Sequence, residues 1–285
     1  MLLTVGDLVE DIAVVLGGPI RSAADTPSTI TRRRGGSAAN VAVSAATAGF
    51  DARFVGQVGE DAIGRALTEE MAAVGVDVGY VRRHGTTGTI VALVDDTGER
   101  SMLTDRRACI ALTDPAPDWL DGVDVVHVPL YSFTEGPLAQ TARTVVRWAH
   151  GRTVAVSVDL SSTTILDTLG RDAVAELLRA VAPQVVLANA DEAAAFGVTG
   201  AIGDALTVVK HGADPTVVHR PQVPHDPMVV APTERFDGID TTGAGDAFAA
   251  GFLTAAWRDD PAGAVAAGHR LAARLLAARV TTVSP

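Results

Sequence analysis

The chain has one cysteine and one lysine in 285 residues, and aromatic side chains make up only 4% of it. A single thiol, Cys109, excludes an intrachain disulfide framework and any zinc site built from several cysteines. No apolar stretch reaches the roughly eighteen residues of a membrane-spanning helix. Residues 1–7 also lack the basic segment and apolar core of a signal peptide. These absences predict a cytoplasmic protein without a membrane partner.

Basic residues are scarce as well, since 23 lysines and arginines face 34 acidic residues, for a net charge of -11. Such a surface repels the phosphate backbone of nucleic acid and anionic lipid, so we expect no nucleic-acid partner. Anionic ligands would have to be held by local donors. The composition, 47% hydrophobic and 20% charged, is ordinary for a globular chain. It fits one domain over residues 1–285.

Short apolar strands alternate with helical patterns along most of the chain. Leu2–Val5 and Val185–Leu187 are typical of the strands, and residues 61–74 and 136–150 of the helices. This alternation predicts an α/β fold, a parallel sheet with helices on both faces. Thr89–Val94 and Arg100–Thr104 instead predict a hairpin with a turn at residues 95–98. Segments within about 8–35 and 85–108 are expected to form a small β lid.

The run from Asp240 to Phe248 carries the strongest chemical signal. Gly243, Ala244 and Gly245 precede Asp246 where a polar turn meets an apolar helical pattern. Small residues at a helix start let backbone N–H groups surround an anion, and a carboxylate among them could take a proton from an attacking hydroxyl. Phosphoryl transfer to an alcohol would need both. The alternative is an ordinary helix start with an acidic residue that complements the helix dipole.

A second glycine motif is Gly35-Gly36-Ser-Ala-Ala-Asn40. The glycine pair permits close backbone approach to a ligand, and the Asn40 amide offers a donor and an acceptor to the hydroxyls of a polyol. A turn with Asn40 as a cap explains the same residues equally well. Arg32, Arg33 and Arg34, just before it, are interpreted as a solvated edge.

Two further candidates follow strands, where active sites of open α/β sheets collect. Glu192, in Asn189-Ala-Asp-Glu192, could hold hydrated Mg²⁺, although helix capping explains this motif too. Asp7 follows the first strand and could accept hydrogen bonds from sugar hydroxyls, or be an exposed turn residue.

Together these motifs resemble the ribokinase-like (phosphofructokinase B-type) sugar kinase family. One signature runs from Gly35 through Asn40 to Gly59, and a second from Asp240 to Leu253. Between them lie Asn189 with Glu192 and the segment Val208–Gly212, which is similar to the nucleotide-side strand and loop of the family. Both long signatures occur in order, and the resemblance spans nearly the whole chain.

The resemblance implies a central parallel sheet with a β lid over the sugar, and transfer of the γ-phosphoryl of ATP to a hydroxymethyl group of a carbohydrate. By similarity, Asp246 is the base, and the amides of Gly243, Ala244, Gly245 and Asp246 form an anion hole that prealigns its donors. The other implied roles belong to three groups. Asp7, Gly35, Gly36 and Asn40 hold the sugar; Lys210, Gly212, Gly243 and Gly245 hold the nucleotide; Asn189 and Glu192 organise Mg²⁺ through water. Arg106 is a further candidate for the substrate side, from its position after the hairpin and not from the resemblance.

Several departures from the family pattern limit these implications. Asp240 and Thr242 match part of a monovalent-cation site, but residues 279–285 lack the usual glycine-containing loop, which argues against potassium dependence. Pro215 stands where a glycine is common in the nucleotide loop. Arg106 and Arg107 follow the hairpin and could meet a negatively charged substrate, or line a solvated loop.

Three functions remain open from the sequence. The first is an ATP-dependent sugar kinase, with lids that pair two copies into a homodimer as often in this family. The second is a nucleoside kinase, which aromatic residues that stack on a base would favour. The third is a kinase-like sugar-binding protein without catalysis, against which the intact glycine turn and Asp246 argue.

Overall fold

The computed structural model describes residues 1–95, 97, 100–236 and 239–282. Its strands and helices alternate as the sequence predicts. The strands are β1 (Leu2–Val5), β2 (Val9–Leu16), β3 (Ser28–Gly35), β4 (Ala52–Val55), β5 (Gln57–Val58), β6 (Arg82–Arg83), β7 (Thr89–Val94), β8 (Arg100–Asp105), β9 (Val125–Pro129), β10 (Ala155–Asp159), β11 (Val185–Asn189), β12 (Leu206–His211), β13 (Asp214–Arg220) and β14 (Val223–Val230). The helices are α1 (Ser37–Thr47), α2 (Ala62–Ala73), α3 (Gly136–Gly151), α4 (Thr163–Leu169), α5 (Arg171–Val181), α6 (Ala190–Phe196), α7 (Ala244–Leu253) and α8 (Pro261–Thr282).

The large sheet has the strand order β14-β13-β12-β11-β10-β9-β1-β4. Its strands from β4 to β12 pair in parallel, and β13 and β14 add an antiparallel edge. The carboxyl ends of β1, β10, β11 and β12 therefore meet at one edge, where ligands of open α/β sheets bind.

Helices cover both faces of this sheet, as predicted. Successive strand residues point to opposite faces, so Val186 packs with α3 and α5, while Val185 packs with α1 and α7. Central strands buried on both faces read as continuous apolar runs, which is why β9 to β11 are rich in valine. Two apolar cores thus hold the sheet between its helices.

A second, four-stranded sheet has the order β3-β2-β7-β8. Its strands lie within residues 8–35 and 85–108. The predicted hairpin of β7 and β8 is antiparallel, with Ile90 opposite Thr104. We call these four strands the lid sheet. The predicted turn at residues 95–98 falls partly outside the described residues.

The sequence pattern predicts one strand over residues 53–58 and one helix over residues 245–257, and both predictions are wrong in detail. Gly56 separates β4 from β5, and a Cβ there would lie 2.5 Å from the carbonyl oxygen of Gly6. Helix α7 ends at Leu253, where the Thr254 hydroxyl donates to the Ala250 carbonyl. Within the described ranges, no helix is both long and apolar enough to cross a lipid bilayer.

Candidate active site

A cavity of about 790 Å³ extends from the lid sheet, across the carboxyl edge of the large sheet, to α8. Twelve of the residues singled out from the sequence line it. They are Asp7, Gly36, Arg106, Asn189, Glu192, Lys210, Gly212, Thr242, Gly243, Ala244, Gly245 and Asp246. Gly35, Asn40 and Asp240 are not among the residues that line it. The cavity has the size of a small-molecule site, and most of the predicted residues meet in it.

Asp246 lies in the first turn of α7 and lines the cavity. Burial raises the pKa of its carboxyl to about 6, against hydrogen bonds from Ser37 and Asn40 that lower it. At pH 7 the group is still mainly a carboxylate. Its basicity is nevertheless higher than that of an ordinary aspartate, which suits a proton acceptor.

The Asp246 carboxylate is held by the first turns of α1. Ser37 donates from Oγ to Oδ1 at 2.7 Å, and Asn40 donates from Nδ2 to Oδ2 at 2.9 Å. Residues three apart share a helix face, so the two donors reach one carboxylate. Arg34 donates to the other side of the Asn40 amide and to Glu70. The solvated-edge interpretation is therefore wrong for Arg34, whose side chain is 13% exposed.

Both polar atoms of the Asn40 side chain are thus engaged with protein groups. In this structure Asn40 positions Asp246, and no polar atom of its amide faces the cavity without a partner. Its predicted contact with the sugar stays a prediction.

Gly243 begins the turn before α7 and has a φ of 79°, a left-handed conformation that glycine adopts at little cost. The first-turn amides of Gly245 and Asp246 have no acceptor one turn earlier in the helix. Ala244 is different, because its amide donates to the Thr241 carbonyl at 3.0 Å. The Ala244 amide, one of the four predicted to form the anion hole, is therefore engaged within the protein and does not point at a ligand with a free N–H.

Lys210, at the end of β12, adds a cation beside this turn. Its Nζ lies 2.6 Å from Oδ2 of Asp159 and 3.5 Å from the point where a Cβ on Gly245 would stand. Burial disfavours its charge, but Asp159 and Glu192 outweigh burial and raise the pKa of Lys210. The ammonium is therefore charged and next to the predicted anion hole.

Asn189 and Glu192 form a reciprocal capping box at the start of α6. Asn189 Oδ1 accepts from the Glu192 amide, and Glu192 Oε2 accepts from the Asn189 amide, each at 2.8 Å. The capping alternative therefore holds, and Glu192 still lines the cavity. Burial and the charge of Asp159 raise the pKa of Glu192 to about 7.

These carboxylates fit a hydrated magnesium ion better than a directly bound one. Among the described residues, no three His, Cys, Asp or Glu side chains are close enough to cage a metal ion. Asp159 and Glu192 both line the cavity, and their repulsion would be relieved by a divalent cation. Mg²⁺ usually keeps several waters, so two carboxylates and the substrate phosphates suffice.

Asp7 and Arg106 form a bidentate ion pair on the lid side of the cavity. The guanidinium donates to the two Asp7 oxygens at 2.7 and 2.9 Å, and its Nη1 lies 3.4 Å from Glu135. Arg106 thus faces the cavity with its charge balanced, whereas Arg107 is exposed and pairs with Asp105. The prediction of a solvated loop holds for Arg107 only.

The glycine pair is required by the protein's own backbone. A Cβ on Gly36, where φ is 98°, would stand 2.1 Å from the Asp7 carbonyl oxygen, and a Cβ on Gly35 would stand 2.9 Å from the Cβ of Asp11. Gly36 lines the cavity as well, and Gly35 does not. The pair brings α1, and with it Ser37 and Asn40, close to the end of β1.

The far end of the cavity is less polar. It is bounded by Gly212, in the turn between β12 and β13, and by Phe236, Ala272 and Leu276. Gly212 has a φ of 62°, which explains the glycine at that turn. Phe236, Ala272 and Leu276 give this part of the wall an apolar surface, and Glu234 and His269 line the cavity as well.

Asp240 and Thr242, the candidate cation ligands, are surrounded by arginines. Arg33 and Arg100 reach the Asp240 carboxylate from the lid sheet, and Arg279 reaches its carbonyl oxygen from α8. Hydrogen bonds from Thr242, Arg100 and Arg33 outweigh burial and hold the pKa of Asp240 far below its usual range. These residues do not fit a monovalent cation, because guanidinium groups already take the oxygens.

Sequence reasoning missed several residues of this site. Ser37 could have been found from its spacing to Asn40, and Asp159 from its position at the end of a buried strand. The contacts of Arg33, Arg100 and Arg279 with Asp240 join segments far apart in the chain, and no local pattern signals them.

Comparisons with known proteins show which proteins this chain is similar to. The family model described as "pfkB family carbohydrate kinase" matches residues 1–284. An ATP-dependent ribose-1-phosphate kinase of Halopiger xanaduensis is 36% identical over 248 residues, which cover 83% of this chain and 78% of that protein. A fructokinase of Escherichia coli is 32% identical over 245 residues, 77% of this chain and 76% of that protein.

Solved structures share the fold. An adenosine kinase from Sinorhizobium meliloti superposes with a TM-score of 0.81 at 25% identity, covering 97% of this chain and 93% of that chain. A sugar kinase from Pyrococcus horikoshii, solved in complex with ATP, gives a TM-score of 0.74 at 22% identity, covering 89% of this chain and 83% of that chain. The large sheet and the surrounding helices are therefore the ribokinase-type architecture.

Proposed function

Because this chain belongs to the pfkB family of carbohydrate kinases and is an ATP-dependent phosphotransferase for a sugar hydroxyl, we propose that Asp246 is its general base. The observation that carries the proposal is the position of this carboxylate. Burial raises the pKa of the carboxyl, Ser37 and Asn40 hold it, and it lines a cavity that is also lined by residues of the lid sheet and of α8.

Each side of the cavity has a chemical task in this proposal. The sugar lies against the Asp7–Arg106 pair under the lid sheet, with its hydroxymethyl oxygen within reach of Asp246. ATP lies along Gly212 and α8, with its γ-phosphate at the turn that begins with Gly243. The amides of Gly245 and Asp246 and the Lys210 ammonium stabilise negative charge on the transferring group, which is the main demand of phosphoryl transfer.

Asp159 and Glu192 would hold Mg²⁺ through water, on the same side of the turn as Lys210. When bound, the ion would neutralise charge on the phosphates and fix their orientation. Asn189 keeps Glu192 in place through the capping box. The lid sheet would exclude water from the cavity and so limit hydrolysis of ATP.

The balanced charge of the Asp7–Arg106 pair favours a substrate end rich in hydroxyls. A free arginine would favour an anion, but here Asp7 and Glu135 offset the guanidinium. A nucleoside is the second candidate, supported by the likeness to an adenosine kinase and by Tyr131 and Met102 on the cavity wall.

An ADP-release assay with MgATP and a panel of acceptors tests the function. The panel contains ketohexoses, pentoses, a sugar 1-phosphate and adenosine. We expect the highest kcat/KM with an unphosphorylated sugar. A preference for adenosine would assign a nucleoside kinase, and no turnover with any acceptor would refute catalysis and favour a sugar-binding protein.

The pKa of Asp246 predicts an acid limb in the rate profile. The base works only when it is deprotonated, and its pKa is raised to about 6. With saturating Mg²⁺, kcat/KM should be flat near pH 7 to 8 and fall about tenfold per pH unit well below pH 6. A profile that stays flat to pH 5 would contradict the assignment.

We further propose that the protein acts in the cytoplasm, where ATP is available, and that two copies pair through the lid sheet. Ile30 and Leu103 lie on one face of that sheet and are 61% and 58% exposed. Exposed apolar residues on a sheet face support a protein contact. Sedimentation of wild-type and Ile30→Glu protein tests this, and a monomeric wild type would refute it.

A further inference from the structure

Three arginines from distant parts of the chain converge on Asp240. Arg33 of β3 donates to Oδ2 at 2.9 Å, and Arg100 of β8 donates to Oδ1 at 2.8 Å. Arg279, near the end of α8, lies 2.5 Å from the Asp240 carbonyl oxygen and 3.6 Å from Oδ2. The Arg279 guanidinium is therefore close to both the carbonyl oxygen and the carboxylate of Asp240.

The same cluster holds the turn that precedes α7. Thr242 donates from its amide and its hydroxyl to Asp240 Oδ1, and Arg100 donates to the Thr242 hydroxyl at 2.6 Å. Thr242 is followed directly by Gly243, which begins the predicted anion hole. A positive charge fixed at Asp240 thus braces the loop that must present its amides to the phosphate.

A bound alkali cation would bring one positive charge to the carbonyl and carboxylate oxygens of Asp240. In this protein, side chains bring the positive charge: Arg279 donates to the carbonyl oxygen, and Arg33 and Arg100 donate to the carboxylate. A hard cation binds oxygen ligands only where they are open to it, and these are engaged by donors.

We propose that the Arg279 guanidinium performs the task of a monovalent cation at Asp240, so that phosphoryl transfer by this protein needs no potassium. The inference rests on the proposed function, since it concerns the loop that carries the anion hole. Arg33 and Arg100 belong to the lid sheet and donate to the same Asp240 carboxylate. The contact of the lid sheet with Asp240 therefore also stabilises the loop before α7.

Arg279→Ala and wild type are compared in tetramethylammonium chloride and in potassium chloride, at an equal ionic strength of about 0.1 M. Wild-type kcat/KM should be the same in both salts. In tetramethylammonium, the variant should lose about tenfold in kcat/KM, the effect of one lost charge-assisted hydrogen bond. Potassium should restore most of that loss by binding the Asp240 oxygens that the substitution leaves open, and Arg279→Lys should stay nearly as active as wild type without potassium.

Arg274→Ala is the matched control, because Arg274 is exposed on the same helix. It should match wild type in both salts. If Arg279→Ala does not fold, Arg279→Met keeps the aliphatic part of the side chain without the guanidinium and its charge. Potassium activation of the wild type, or a variant that potassium does not restore, would overturn the proposal.

Melting temperature gives a readout that needs no turnover. Potassium should raise the melting temperature of Arg279→Ala more than tetramethylammonium does, and should not do so for the wild type. Equal melting temperatures of the variant in the two salts would count against the inference even in an inactive protein. The proposed kinase function can fail in the acceptor assay independently of this result.

Discussion

Asp246→Asn will lower kcat by about 10³-fold, because it removes the group that accepts the proton of the sugar hydroxyl. The amide has the shape of the carboxylate. Its oxygen can accept from Asn40, and its NH₂ can donate to the Ser37 hydroxyl in place of the bond that Ser37 now donates. The fold should therefore persist, and the loss should lie in the chemical step. Single-turnover kinetics with MgATP and the preferred sugar measure it.

ATP binding separates a lost base from a damaged site. Removing one negative charge near the phosphates should leave the Kd for MgATP unchanged or lower it, as measured by calorimetry. Asp167→Asn, at an exposed position on α4, is the control and should behave as wild type. Turnover of Asp246→Asn within about tenfold of wild type would remove Asp246 from the role of base.

Lys210→Met should lower kcat/KM for ATP by about 10²-fold, the usual cost of one lost donor to a developing charge. It should also lower the free energy of unfolding by about 3 kcal/mol, since Asp159 would keep a largely buried charge without its partner. Methionine nearly preserves the length and volume of the side chain. ADP-release kinetics and urea denaturation measure the two effects.

Further variants separate the effect of Lys210 on activity from its effect on stability. Asp159→Asn combined with Lys210→Met removes both charges, so it should recover most of the stability but little of the activity. Lys210→Arg keeps the charge and should keep most of the stability. An active Lys210→Met enzyme would mean that the amides of the turn and Mg²⁺ stabilise the transferring phosphoryl without it.

The sequence predicted the large sheet well because its central strands are buried on both faces. Strands such as β9 and β11 therefore show as short apolar runs between helical patterns. The lid strands β2 and β3 were harder, since β3 contains Arg32, Arg33 and Arg34 and has no apolar alternation. Pairing partners in the lid sheet, not local composition, make β3 a strand.

The site was predictable where chemistry and local backbone coincide. The turn before α7 and the capping box before α6 are each contained in a few consecutive residues. The roles within them were harder to predict, because Ser37 and Arg33, which donate to Asp246 and Asp240, come from the other end of the chain. Burial also sets the pKa of Asp246, and burial at one carboxylate depends on the assembled fold.

Lys210 carries the only ε-amine of the protein, and it lies inside the cavity beside Asp159. An amine-reactive label with a small acyl group would therefore have a single lysine to modify, in the interior of the enzyme. Acylation needs the neutral amine, and Asp159 and Glu192 raise the pKa of Lys210, so the label would react only at alkaline pH. At such a pH, a ligand bound beside Lys210 would slow the reaction by covering the amine. The protein has no other lysine that such a label could modify, so Lys210 can serve as an intrinsic probe of ligand binding.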